Sequence, residues 1–210
     1  METKPWWTNT HASRSHGAGI KNRRTLQKPL GLSKMITLDD VVSLLPILEK
    51  PPGEGIPSGV LKADLDRLEQ RIELKLPSSF RAWLMTTNGP CVGPGGIVGI
   101  GTTRDLQDLE SIYGLYPKWK EKKWIPVAGD GCGNYYVLTH GEYDIEPVVF
   151  VEVMENADVP AFVVASSLWH FLDFLFRKDL RKSRWPFDET EVVATDPNIL
   201  KTEFVLPWNA

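Results

Sequence analysis

The chain has only two cysteines, Cys91 and Cys132, in 210 residues, and their spacing is not that of a metal ligand pair. So few cysteines exclude a disulfide scaffold and fit a reduced, cytoplasmic protein. No apolar run approaches the length of a membrane span. The N-terminus has no apolar core of the secretory type, which argues against an export signal. Neither a His-Glu-x-x-His nor a Cys-x-x-Cys pattern occurs, so no metal site and no cofactor is expected. A calcium loop of alternating acids closed by a spaced glutamate is also missing. What remains is ordinary globular composition, 42% hydrophobic and 24% charged, enough for one domain with a real core plus appendages.

Positive charge is scarce in the body. Residues 1–34 carry seven Lys/Arg against Glu2 alone. Removing these from the totals of 24 basic and 27 acidic side chains leaves residues 35–210 with 17 and 26, a balance of −9. An acidic body repels nucleic acid and steers basic partners towards itself. Residues 1–34 have no helical or strand period and read as a disordered basic extension. A targeting peptide and an over-extended start, with Met35 as the true first residue, are the other two readings.

The stretch from Trp124 to Leu138, W-I-P-V-A-G-D-G-C-G-N-Y-Y-V-L, organises the rest. Two runs of β-branched and aromatic residues flank a Gly/Asp connector, the pattern of a β-hairpin. Successive apolar residues in both runs place this pair in the middle of the sheet, covered on both faces. Pro147 to Val153 supplies a further strand, and Phe162 to Val164 a short one. Ile97 to Gly101 reads as another short strand. Thr37, with Asp40 three residues on, caps a helix that Pro46 limits. Leu61, Leu65, Leu68 and Ile72 mark an amphipathic helix, and Phe80, Trp83 and Leu84 line the next. Arg104 to Tyr116 reads as one helix, and the Lys118 to Lys123 run as a lead-in to the hairpin. Leu168, Phe171, Leu172, Leu175 and Phe176 give the strongest helical stripe in the chain. It is capped by Ser166 or Ser167 and closed by Arg177, Lys178, Arg181 and Lys182. The tail offers two strand-like pieces, Glu191 to Ala194 and Glu203 to Leu206. The expected organisation is an extension over 1–34, an α+β domain over 35–182 with a mostly antiparallel central sheet and helices packed around it, and a tail over 183–210 partly packed on the domain.

Few residues suggest chemistry. The alternating Gly129, Gly131 and Gly133 precede a strand, whereas a phosphate cradle needs a helix after its glycines. A turn requiring φ > 0 explains them. Cys132 with His140 is the one conceivable nucleophile and base for a small hydrolase. His170 lies off the most buried line of its helix and reads as a surface or half-buried structural residue. Trp83 and Trp124 fit core packing, and the Lys118 to Trp124 run fits solubilising charge. Asp130, Glu142, Asp144, Glu146 and Glu152 form an acidic set around the sheet, more meaningful as an electrostatic surface than as a ligand set.

The order of four motifs resembles a known family. These are L-P-S-S-F-R-A-W-L-M-T-T-N-G (Leu76 to Gly89), the hairpin stretch, P-V-V-F-V-E (Pro147 to Glu152) and the closing S-S-L-W-H-F-L-D-F-L helix. Together, over about residues 36–180, the chain is similar to the SUKH superfamily, the Smi/Knr-like proteins. The resemblance implies a single α+β domain without enzyme activity. It implies either an immunity protein that binds a cognate toxin, often a nuclease, or a regulatory interaction protein of the cell-wall-regulator type. No site residue is implied by it. On the acidity of the body, the expected partner is a basic toxin protein, with no nucleic acid and no membrane involved. Asp130, Glu142, Tyr143, Asp144 and Glu146 are the candidate contact residues.

Overall fold

Four short apolar runs become strands: β1 Ile125–Gly129, β2 Tyr135–Leu138, β3 Val148–Val151 and β4 Phe162–Ala165. They lie in the order β1-β2-β3-β4, each antiparallel to the next. The computed structural model describes residues 35–140 and 145–210. The basic extension and the candidates Glu142, Tyr143 and Asp144 lie outside the described residues. The helices are α1 Leu38–Val42, α2 Lys62–Ile72, α3 Ser78–Thr86, α4 Leu109–Leu115, α5 Pro117–Glu121, α6 Val153–Asn156, α7 Leu168–Asp179 and α8 Glu189–Thr195. The architecture is the expected α+β domain, an antiparallel sheet with helices around it.

One expectation about the sheet is corrected. The hairpin is not its middle: β2 and β3 are central, and β1 is an edge. All five β1 residues are nevertheless buried. The reason is the loop ahead of α4, which lies along that edge. Val98 N–H donates to the Val127 carbonyl at 2.9 Å, Gly129 N–H donates to the Gly96 carbonyl at 3.1 Å, and Ile97 bridges Ala128. Close approach here requires glycine, since a Cβ on Gly95 would stand 2.5 Å from the Gly129 carbonyl carbon. The expected strand at Ile97 to Gly101 thus exists only as isolated bridges, Ile97 to Ala128 and Gly99 to Asp108. At the opposite edge, Val163 N–H of β4 donates to the Val205 carbonyl at 2.9 Å. An open strand edge is a template for unwanted pairing, and both edges here are covered.

The two faces of the sheet are buried by different means. Tyr136, Phe150 and Phe162 stand opposite one another across β2, β3 and β4, with ring centroids 5.3 Å apart at each step. Phe171 of α7 and Trp185 close over Tyr136 at 5.0 and 5.7 Å. On the other face Tyr135 meets Tyr116 and Trp119 at 6.0 and 5.6 Å. The whole predicted stripe of α7 is buried, and so are His170, Asp173 and Phe174. Trp185 stacks on Phe174 with 12° between the rings and donates its indole N–H to the Val164 carbonyl at 2.7 Å. Trp185, Val192 and Ile199, all beyond residue 182, are buried within the same hydrophobic core.

Several local readings change because polar caps outrank apolar periodicity. Asp108 accepts the Ser111 N–H at 3.1 Å, so the stretch expected as one helix from Arg104 splits into a 3-10 turn, Asp105–Gln107, and α4. Pro117 at the first helical position starts α5 where a strand lead-in was expected. Asp188 accepts the Glu191 N–H at 3.1 Å and makes α8 out of the strand-like Glu191 to Ala194. Residues 203–206 form no strand, although Val205 closes β4. At Thr37 and Asp40 the expected capping box is present.

A buried carboxylate joins α2 to α3. Glu69 is 4% exposed. It accepts bonds from Arg81 Nη1 at 2.5 Å, Lys75 Nζ at 2.7 Å and the Leu76 N–H at 3.1 Å, while Arg81 Nη2 reaches Asp66 at 2.9 Å. Burial raises the Glu69 pKa, but Lys75, Arg81 and the Leu76 amide outweigh it and hold the carboxyl below its ordinary 4.5. A group depressed in the folded state stabilises fully above its unfolded value, and that contribution is lost as pH falls through the folded value. Equilibrium urea unfolding is therefore expected to show stability declining below about pH 4.5. Glu69→Gln should lose about 2–3 kcal/mol at pH 7 and flatten that decline. Trp185→Ala should cost about 3–5 kcal/mol in the same measurement, the magnitude of removing a core aromatic.

Candidate functional site

The turn between β1 and β2 is held by one carboxylate. Asp130 Oδ1 accepts the Cys132 N–H at 2.7 Å and the Asn134 N–H at 3.0 Å, and Oδ2 accepts from the Asn134 side chain at 2.8 Å. Gly131 at φ +82° lies against the Pro94 carbonyl, where a Cβ would approach to 2.7 Å. Asn134 in turn accepts the Val153 N–H at 3.0 Å, which seats α6 beside the turn. Tyr135 OH donates to the Leu106 carbonyl at 3.3 Å and brings the Asp105–Gln107 turn to the same end of the sheet. Burial, helped by Tyr116 and Asp130, pushes the Tyr135 phenol up to about 12, so it stays a donor. This end displays Asp105, Glu152 and Glu155, exposed and without ion pairs among the described residues, beside the exposed Leu106 and Met154.

Glu146 lies elsewhere. It stands two residues before Val148, which pairs with Leu138 at the far end of β2, whereas Asp130 follows Gly129, which pairs with Tyr135 at the near end. The sheet therefore separates Asp130 and Glu146, while it brings Glu152 close to Asp130 through Asn134. Glu146 is half-buried and accepts the Ser79 hydroxyl at 2.9 Å. The sequence overlooked Met154 and Glu155 because V-V-F-V-E-V-M reads as one continuous strand. Ending β3 at Val151 and starting α6 at Val153 leaves Met154 88% exposed.

The hydrolase alternative fails on placement. Cys132 is in the exposed turn before β2, and His140 is exposed beyond its other end, so the strand keeps them apart. His170 differs from expectation in being buried at 9% exposure. Its Nδ1 lies 2.9 Å from Ser167 Oγ and 3.9 Å from Asp196 Oδ1. The Asp196 carboxylate, fully buried, is brought beneath it by the chain after α8 and also accepts from the Ser166 N–H and hydroxyl. Ser167 caps α7 through the His170 N–H, which makes the group an N-terminal cap. Among the described residues no cluster of His, Cys, Asp and Glu could hold a metal ion, and no helix is long and apolar enough to cross a membrane.

Much of the acidity is spent inside the fold. Asp64, Asp66, Glu69, Glu110, Asp158, Asp173 and Asp188 are in ion pairs, and Asp108, Asp130 and Asp196 bond backbone N–H groups. Lys118 and Lys122, from the basic run, both turn to Asp158 and link α5 to the segment after α6. The exposed carboxylates left over, Asp105, Glu152 and Glu155 among them, are in no ion pair among the described residues. No curated protein matches the chain. The model of the SMI1 / KNR4 family (SUKH-1) matches residues 59–173, which run from the loop before α2 into α7 and take in the whole sheet. With more than half of its length matched, the chain belongs to the SMI1 / KNR4 (SUKH-1) family.

Proposed function

We propose that this chain is a non-enzymatic binding module that captures and neutralises a cognate toxin, a basic protein such as a nuclease, inside the cytoplasm. The observation that carries this reading is the acid excess of residues 35–210 together with carboxylates that the fold leaves uncommitted. A nuclease must present cations to phosphate, so a protein carrying exposed carboxylates fits the same surface and associates fast. Family membership supports a toxin-immunity or Smi1/Knr4-type role in general. A regulatory interaction module is the second reading, favoured by the basic residues 1–34, opposite in sign to the body.

Co-expression with the toxin domain encoded beside its own gene tests the proposal. Cells should survive, the two proteins should co-purify, and raising salt from about 50 to 300 mM should slow association about tenfold or more. The double variant Glu152→Gln, Glu155→Gln should also slow association while leaving urea stability unchanged. Failure to bind or protect against any neighbouring toxin would overturn the immunity role.

A further inference from the structure

A groove of about 420 Å³ opens at the end of the sheet opposite the β1–β2 turn, at the N-terminus of α7. Met35, Leu38 and Trp169 form apolar walls, Met35 being 80% exposed. Glu146 and His170 line it together with Thr37, Asn198 and three serines, and no lysine or arginine does. Glu146 and His170 each keep one atom without a partner among the described residues. Glu146 bonds Ser79 through Oε2 alone, which leaves Oε1 free. His170 is engaged through Nδ1 alone, which leaves Nε2 free on a side chain that keeps 11% exposure. With the proton on Nδ1, the tautomer that the negative Asp196 carboxylate 3.9 Å away favours, Nε2 is an acceptor.

These features define the occupant. An anion would meet Glu146 at the rim and Asp196 behind the imidazole. A purely apolar group would strip water from Glu146 and His170 and return no hydrogen bond. A guanidinium answers both needs: its planar fork has several N–H donors for two separate acceptors, and its methylene stem packs along apolar surface. Trp169 offers an aromatic face for the same cation. We propose that this groove seats an arginine side chain from an extended segment of a partner protein, with Glu146 as the ion-pair partner and His170 Nε2 as the second acceptor. The proposal rests on the protein-binding reading, and it names the chemistry of the contact.

The test uses the full chain, isotope-labelled, titrated by NMR with capped peptides Ac-Ala-Leu-Xaa-Leu-Ala-amide in which Xaa is arginine, norleucine or glutamate. The arginine peptide should shift the Trp169 indole N–H and the His170 ring signals and bind at least about fivefold tighter than the norleucine peptide, with glutamate weakest. Glu146→Gln should erase that preference, Trp169→Ala should weaken all three peptides, and Glu189→Gln on α8 should change nothing. Unperturbed spectra elsewhere establish that each variant is folded. Equal binding of arginine and norleucine, a preference that survives Glu146→Gln, or shifts confined to other tryptophans would overturn the proposal. Arginine-selective binding at Trp169 in a chain that protects against no toxin would keep the groove and remove the immunity role. A toxin neutralised equally well by the Glu146→Gln protein would keep that role and remove the groove from it.

Discussion

Closure of both sheet edges is the constraint on which the rest of this structure depends. Four strands of four or five residues offer little hydrogen bonding of their own, and two of the four are edges. The Gly96–Val98 segment covers β1 and the C-terminal segment at Val205 covers β4. Each cover is non-local, and each recruits sequence that carries little regular structure. Glycine at 95 and 129 lets two backbones approach within contact. With the edges covered, the faces can be wholly apolar, and α7 can be buried nearly all round between the sheet, α1, α3 and Trp185.

The same closure determines what is left for a partner. The fold consumes carboxylates as joints: Glu69 between helices, Asp130 in the hairpin turn, Asp108 and Asp188 as helix caps, Asp196 beneath the start of α7. A charge count therefore overstates the acidity available at the surface. Among the described residues without ion pairs, Asp105, Glu152 and Glu155 lie around the hairpin turn and Glu146 in the groove at the other end, while Asp39, Glu49, Glu121, Glu189 and Glu203 are exposed on other segments. Both ends are positioned by the strands of the sheet.

Apolar periodicity was a good guide wherever long elements were concerned. The helix of Leu61 to Ile72 and the stripe on α7 are where their spacing places them, because an amphipathic face has one way to bury itself. Short elements were less legible. Glu191 to Ala194 looks like a strand by its two valines, yet Asp188 three residues earlier caps a helix. Of the candidate contact residues, the structural role of Asp130 was half visible in its Gly/Asp turn, while its separation from Glu146 was not, since sequence proximity says nothing about which end of a strand a residue occupies.

By itself the sequence determined the fold class, the order of the main elements and the acidic character of the body. These follow from local spacing, turn chemistry and counting, none of which needs a distant partner. Only the tertiary structure decided which strand is an edge, that His170 is buried over Asp196, and which carboxylates remain free. Those depend on pairings between segments far apart in the chain, where hydrogen-bond geometry and the cost of an unpaired buried group choose among arrangements that local pattern leaves equivalent.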